Sequence, residues 1–424
     1  MELSRRGFLR AAAVGGGAAV TLGGVGLRPG PGLAQVLPRA GGKRLVVVGG
    51  GFGGVFTALT VKKLVPDAEV VVLERSPFFI SCPATLEYVF GLNSLDAITF
   101  GYSPLVAKGI KVIRTEVVGI EADGKRVVTG HGALDYDQLL IATGIRLAYE
   151  DVPGLPEAYH LNASIYDKGT PIVDARHKIE AFQGGTVVLT APAVPYKCPP
   201  GPYEYALLWA DHVKKKNLKA KVVLLDAKPS PIPPANAQGL LDAMAARKDV
   251  LEYWPQTKVT GVDGEKKVLK TDGGDVAFDF LSVIPPNKAA DLIRQAGLGP
   301  VFAEVDPVTF RSTKNPAVYA IGDAAQTPYA KSAYTAAISG KIAGTYIARA
   351  MGVSVADPAP PHNICYPYTE SDKAILTRAE WGYETKDGKV QINTKVTVDN
   401  VPKATFAQLR KAWEQGLWRE MFGS

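Results

Sequence analysis

The stretch KRLVVVGGGFGGVFTALTVKKL, Lys43 to Leu64, decides the fold. Its apolar run Arg44–Val48 reads as a buried strand. Gly49, Gly51 and Gly54 then form G-x-G-x-x-G, and the apolar positions behind them suit a helix. A further strand, AEVVVLE, ends at Glu74, twenty residues past Gly54. The glycine pattern alone is weak. With strand, helix and acidic residue all in place it predicts a βαβ dinucleotide-binding unit. Gly49 permits the tight turn, Gly51 lets backbone N–H groups approach a pyrophosphate at the helix start, and Gly54 allows close helix–strand packing. Glu74 is placed to bond ribose hydroxyls.

Two later stretches favour FAD over NAD. YDQLLIATG ends a strand in Thr143 and Gly144, and NPAVYAIGDAA ends another in Gly322 and Asp323, which is set to reach the ribityl or pyrophosphate part of FAD. Between them lies a second alternating set. GGTVVLTAP and KAKVVLLDA read as buried strands, and PYEYALLWADHVKKKN as a helix with an apolar face of Tyr205, Leu208, Trp209 and Val213. The turn before that helix, APAVPYKCPPGPYE, holds Pro192, Pro195, Pro199 and Pro200. Proline has no N–H to give a phosphate, so this domain is expected to have the form of an NAD domain without a functional NAD site. The fold class is α/β with two Rossmann-like domains. An FAD domain (43–154 and 289–350) carries an inserted NAD-like domain (155–288), and a C-terminal α+β interface domain (356–424) follows.

The chain has 424 residues, 46% hydrophobic and 21% charged, which fits a globular protein of two to three domains. Arg5 and Arg6 precede an apolar, glycine-rich run, and a small-residue site ends at Ala34. Residues 1–34 therefore read as a twin-arginine export signal, cleaved after Ala34 and placing the mature chain in the periplasm. Removing them takes away four Arg and one Glu, so the net charge falls from +7 to +4. The basic residues are dispersed, which argues against nucleic-acid binding. Of the three cysteines, Cys82, Cys198 and Cys365, none forms C-x-x-C or C-x-x-C-H. No metal site and no covalent c-type haem are expected in this chain.

CPPGPYE at 198–204, HNICYP around Cys365, IPP at 284–286, AKSAYTAAISGK at 330–341 and the C-terminal tryptophan and MFG together carry a resemblance. Over residues 43–424 the chain resembles the flavoprotein subunit of flavocytochrome c sulfide dehydrogenase, within the flavoprotein disulfide reductase superfamily. The resemblance implies FAD joined covalently through Cys82, although Pro83 follows it where the family has tyrosine. It also implies a redox-active Cys198–Cys365 pair and Trp413 covering the flavin. Hydrosulfide would open the disulfide to a persulfide and a thiolate. Two electrons would pass to FAD and then singly to a c-type cytochrome. The start of the helix behind Cys198 is expected to lower its thiol pKa. Glu204 is the candidate acid/base, and Lys331 the candidate stabiliser of negative charge on the reduced ring.

Three alternatives stand beside this reading. A sulfide:quinone oxidoreductase would share the fold and both cysteines. Its membrane contact could come from the C-terminal stripe Phe406, Leu409, Trp413, Leu417 and Met421. A non-catalytic FAD-binding partner of a sulfur-oxidation complex is the second, and an NADH-dependent reductase, disfavoured by the prolines, the third.

Overall fold

The computed structural model describes residues 37–39, 41–167, 169–386 and 389–423. The export segment proposed for residues 1–34 lies outside them. The chain opens with β1 (Arg44–Val48), α1 (Phe52–Leu64), β2 (Glu69–Glu74), β3 (Lys111–Arg114) and β4 (Gln138–Ile141), and β5 (Ile145–Leu147) leads away. The inserted region supplies β6 (Gly184–Ala191), α2 (Gly201–Lys215), β7 (Lys219–Asp226), β8 (Leu251–Trp254) and β9 (Phe280–Ser282). Next, β10 (Asn287–Ala289) leads back to β11 (Val318–Ala320) and α3 (Ala333–Ala350). The C-terminal region holds β12 (His362–Cys365), β13 (Tyr368–Glu370), β14 (Lys373–Lys386), β15 (Lys389–Lys403) and α4 (Ala404–Phe422).

The first sheet has the order β11-β4-β1-β2-β3 and is parallel throughout. Every residue of β1 is buried, as a strand covered on both faces requires. On one side α1 packs along α3. On the other, Ile120, Val127 and Leu134 of a three-stranded antiparallel sheet meet Val46 and Val48. The second sheet, β8-β7-β6-β9, is also parallel. The outgoing β5 and the returning β10 pair antiparallel, Ile145 opposite Ala289, and link the two sheets.

The C-terminal sheet is antiparallel. β14 is central, with β12 and β13 along one side and β15 along the other. It changes the reading of α2. The sequence suggested one apolar face, but every residue from Gly201 to Ala210 is buried. The second sheet covers one side of the helix and β13 covers the other. The C-terminal helix also differs from expectation. Its buried line is Ala407, Arg410, Glu414, Leu417 and Met421, while Leu409 is exposed. The apolar residues of that face are spent on the protein's own core, where Met421 and Phe422 pack. No helix of the described residues is long and apolar enough to cross a membrane.

Candidate active site

The glycine fingerprint forms a cradle at the carboxyl end of the first sheet. Gly49 has φ +103°, and a Cβ there would come within 2.5 Å of the Ala142 carbonyl oxygen. A Cβ on Gly54 would overlap the Gly49 carbonyl, so only glycine lets α1 start this close to β1. A Cβ on Gly51 would meet nothing within 4 Å, so the backbone there faces open space. Glu74 accepts from Gly50 N–H at 2.7 Å and from Ser76 N–H at 2.8 Å, which holds its carboxylate at the cradle wall. Thr143 and Gly144 line the cleft with Gly322 and Asp323. Thr143 Oγ1 and Asp323 Oδ1 are buried without a hydrogen-bond partner. Two orphaned polar atoms beside an open glycine loop fit a bound flavin dinucleotide. The adjoining cleft, of about 530 Å³, runs past Glu74 and Thr115.

Against this cradle lies a smaller cavity of about 90 Å³, lined by Cys82, Cys198 and Cys365 with Glu204, Arg410 and Trp413. It has room for a few water-sized groups and little more. Asp323, Ser332 and Ala333 line both spaces, so the cavity opens on the cradle. The fold thus brings together residues 198 and 365, which are far apart in the chain. Both are present as thiols in this structure. Cys82 is exposed and lines both spaces.

Cys198 has a left-handed backbone, φ +52°. Such a conformation costs a non-glycine residue about 1–3 kcal/mol and has to be held by its surroundings. Its N–H donates to Lys331 O at 2.7 Å, and its carbonyl accepts from Gly201 N–H at 2.9 Å and Tyr166 Oη at 3.0 Å. The expected acidity of this thiol is not found. Burial, then the carboxylate of Glu204 and the neighbouring Cys365, push the Cys198 thiol well above its ordinary range. The same burial and Glu204 push Cys365 up to about 12. The helix that was to acidify Cys198 begins at Gly201, three residues further on, with Pro200 as its cap, and burial is the largest influence on the thiol.

Glu204 is buried on α2. Its Oε1 accepts from Tyr368 N–H at 2.9 Å and from Arg410 Nη1 at 2.6 Å. Arg410 also donates to Glu87 Oε1 at 3.0 Å and lies 3.5 Å from Glu414 Oε1. Three buried carboxyls thus surround one guanidinium. Ionising all of them would leave uncompensated charge in a dry site, so some protons stay bound. Burial raises Glu204 above the ordinary carboxyl range, and burial with the nearby Glu87 raises Glu414 well above it.

Lys331 lines the cysteine cavity. Its ammonium donates to Asp323 O at 2.9 Å and Ala325 O at 3.0 Å, over the Phe302 ring. It props the Asp323 turn and directs its charge at backbone carbonyls. The lysine at the boundary is Lys197, which lines the cradle, the adjoining cleft and the cysteine cavity alike. Its Nζ donates to Tyr166 O at 2.7 Å. Trp413 lines the cysteine cavity and stacks on Tyr334, with its indole N–H unpartnered.

In the second sheet the strand-end acid is engaged by internal partners. Asp226, at the end of β7 where a ribose-binding acid would stand, is fully buried. Its carboxylate accepts from Tyr203 Oη at 2.7 Å, Tyr253 Oη at 2.8 Å and Lys228 Nζ at 2.6 Å. Lys228 reaches on to Pro192 O in the proline turn.

Sequence reasoning missed Lys197, Asp226, Arg410, Glu87 and Glu414. The C-terminal helix did carry a signal for two of them. Arg410 and Glu414 fall in the same three-and-four spacing as Ala407, Leu417 and Met421, which marks them as inward-facing.

Two parallel dinucleotide-type sheets, a glycine cradle and a cysteine cavity opening on it make up the candidate site. The structure superposes on the sulfide:quinone oxidoreductase of Aquifex aeolicus with a TM-score of 0.74 and 20% identity, covering 89% of this chain and 91% of that one. It matches an NAD-dependent persulfide reductase from A. fulgidus with a TM-score of 0.63 and 17% identity, over 88% of this chain and 76% of that one. In sequence it is 26% identical to a mitochondrial sulfide:quinone oxidoreductase of Dictyostelium discoideum, over 81% of this chain and 79% of that one. Residues 173–285 match the family model described as the central part of the flavoprotein chain of sulfide dehydrogenase (flavocytochrome c). The resemblance to the flavocytochrome subunit, drawn from motifs over residues 43–424, thus has a family match in the inserted domain. The likeness over most of the chain is to sulfide:quinone oxidoreductases.

Proposed function

We propose that this chain is an FAD-dependent oxidoreductase that oxidises sulfide at Cys198 and Cys365. The observation that carries the reading is the position of these two sulfurs, in one small buried cavity that opens on the dinucleotide cradle. Bound FAD would supply a two-electron acceptor there. Gly49, Gly51, Gly54, Glu74, Thr143 and Asp323 would hold it, and Cys82 is the candidate for a covalent link. The cavity has room for a small anion such as hydrosulfide.

In the disulfide state, hydrosulfide attacks one sulfur. One S–S bond forms as the Cys198–Cys365 bond breaks, leaving a persulfide on one cysteine and a thiolate on the other. The thiols' resistance to ionisation makes a standing thiolate unfavourable, which drives it to give up its electrons or take a proton. Glu204 is the group beside both sulfurs that takes up and returns that proton. Anaerobic addition of sulfide is expected to bleach the flavin of the loaded wild-type protein. Cys198→Ser and Cys365→Ser are each expected to abolish bleaching while retaining the flavin. Bleaching of Cys198→Ser at the wild-type rate would overturn the reading.

The electron acceptor has two supported readings. Similarity to sulfide:quinone oxidoreductases over most of the chain favours a quinone. A c-type cytochrome is favoured by the match at 173–285 to the flavocytochrome c flavoprotein model. Comparing steady-state turnover with a soluble quinone and with cytochrome c separates them. Export to the periplasm belongs to the same proposal. N-terminal sequencing of the mature chain tests it, and mass spectrometry of the Cys82 peptide tests the covalent flavin.

A further inference from the structure

Arg410 comes from the C-terminal helix, yet it touches all three cysteine-bearing segments. Nη2 donates to the carbonyl of Pro83, next to Cys82, at 2.8 Å. Nη1 donates to the carbonyl of Tyr366, next to Cys365, at 3.0 Å. The same Nη1 holds Glu204 at 2.6 Å, on the first turn of the helix that follows Cys198. Nε is committed to Glu87 at 3.0 Å, and the guanidinium lies 4.4 Å from the centroid of the Tyr368 ring. The residue is 6% exposed. A planar fork with five N–H groups can serve such divergent acceptors, and an ammonium cannot.

We infer that Arg410 is the positioning residue of the cysteine pair. It fixes the segments of Cys198 and Cys365 to one buried charge and thereby sets how readily the two sulfurs join. This rests on the reading of Cys198 and Cys365 as a redox pair. Oxidation of the two thiols breaks two S–H bonds, forms one S–S bond, and releases two protons and two electrons. In solution a glutathione couple takes them. The protons leave into a cluster of charged and titratable groups: Glu204 on α2, Glu87 on the short helix Thr85–Val89, Arg410 and Glu414 on α4, and Lys197 and Tyr166 across the cavity.

The test is a glutathione redox titration of the FAD-loaded protein at fixed pH, with the Cys198–Cys365 disulfide quantified by alkylation and mass spectrometry. Arg410→Lys keeps the charge and loses the fork, while Arg410→Gln loses both. Both are expected to move the equilibrium toward the dithiol by at least about tenfold, or about 30 mV for this two-electron couple, with Gln moving it further. Leu139→Ala, a cavity in the first sheet, is expected to lower the thermal midpoint and leave the redox equilibrium unchanged. That control distinguishes positioning from general stability.

If Arg410→Gln does not fold, Arg410→Lys decides. A wild-type equilibrium in Arg410→Lys, or failure of both variants to fold, overturns the assignment. The titration contains no sulfide, so the two readings fail separately. Sulfide bleaching of the wild type with no shift in the variants sinks only the role of Arg410. A shift without bleaching sinks the sulfide reading and leaves Arg410 in place. A wild-type pair that never forms a disulfide sinks both.

Discussion

Burial raises the Glu204 carboxyl above its ordinary range, while Arg410 and the Tyr368 N–H act as its partners. As a base it must lose its proton, so the rate of sulfide-dependent flavin reduction is expected to rise with pH through a value above the ordinary 4.5. Glu204→Gln keeps an oxygen that can accept both hydrogen bonds, so the fold is expected to survive. The rate is expected to fall by about 10²-fold and to lose that limb of its pH profile, as removal of a positioned acid/base does. An unchanged profile in anaerobic stopped-flow would remove Glu204 from the chemistry. Lys197 supplies positive charge at the junction of cradle and cysteine cavity. Lys197→Met is expected to make the flavin harder to reduce by about 30 mV, tenfold in a two-electron equilibrium. A reference-dye titration reads that shift, and the reverse sign would rule out the role.

The helix α4 shows why part of the site was not legible from sequence. Its inward line carries a basic and an acidic residue where a surface helix usually carries apolar ones, so the apolar stripe drawn through Leu409 and Trp413 is displaced from the buried one. What makes Arg410 inward-facing is its pairing with Glu87 and Glu204, which are over two hundred residues away in sequence, and Glu414 follows Arg410 at 3.5 Å. Glu414 bears the cost of that crowding. Its folded pKa lies well above the unfolded one, so it contributes stability below the ordinary carboxyl range, and that contribution is lost as pH rises toward its folded value. Wild-type thermal stability is therefore expected to decline from about pH 5 upward through this residue. Glu414→Gln is expected to flatten that decline and to gain on the order of 1–2 °C at pH 8. A thermal-melt series from pH 4.5 to 9 checks it. A loss of stability at pH 8 would mean that the carboxylate is ionised and useful there.

At the scale of the molecule, the two parallel sheets were legible because their signals are local: a valine run, glycines at fixed spacing, an acidic residue at the strand end. The meeting of Cys198 and Cys365 was carried only by resemblance, because no local rule brings together residues 167 positions apart. The second sheet combines the two cases. Its strands announced a nucleotide domain, and four prolines announced that the phosphate turn had lost its donors. Asp226 was silent, since a strand-ending acid reads the same whether it faces a ribose or three internal donors. In the structure Tyr203, Tyr253 and Lys228 occupy it, and Lys228 ties it to the proline turn. Seating a pyridine nucleotide would break those bonds in a fully buried site and leave their groups unpaired, at about 1–3 kcal/mol each. NADH is therefore expected neither to bleach the flavin nor to bind with a Kd below about 1 mM, which corresponds to only about −4 kcal/mol. Calorimetry with NADH beside a sulfide titration of the same sample makes the comparison direct. Saturable NADH binding would reopen the second domain as a working site, and with it the reading of this chain as an NADH-dependent reductase.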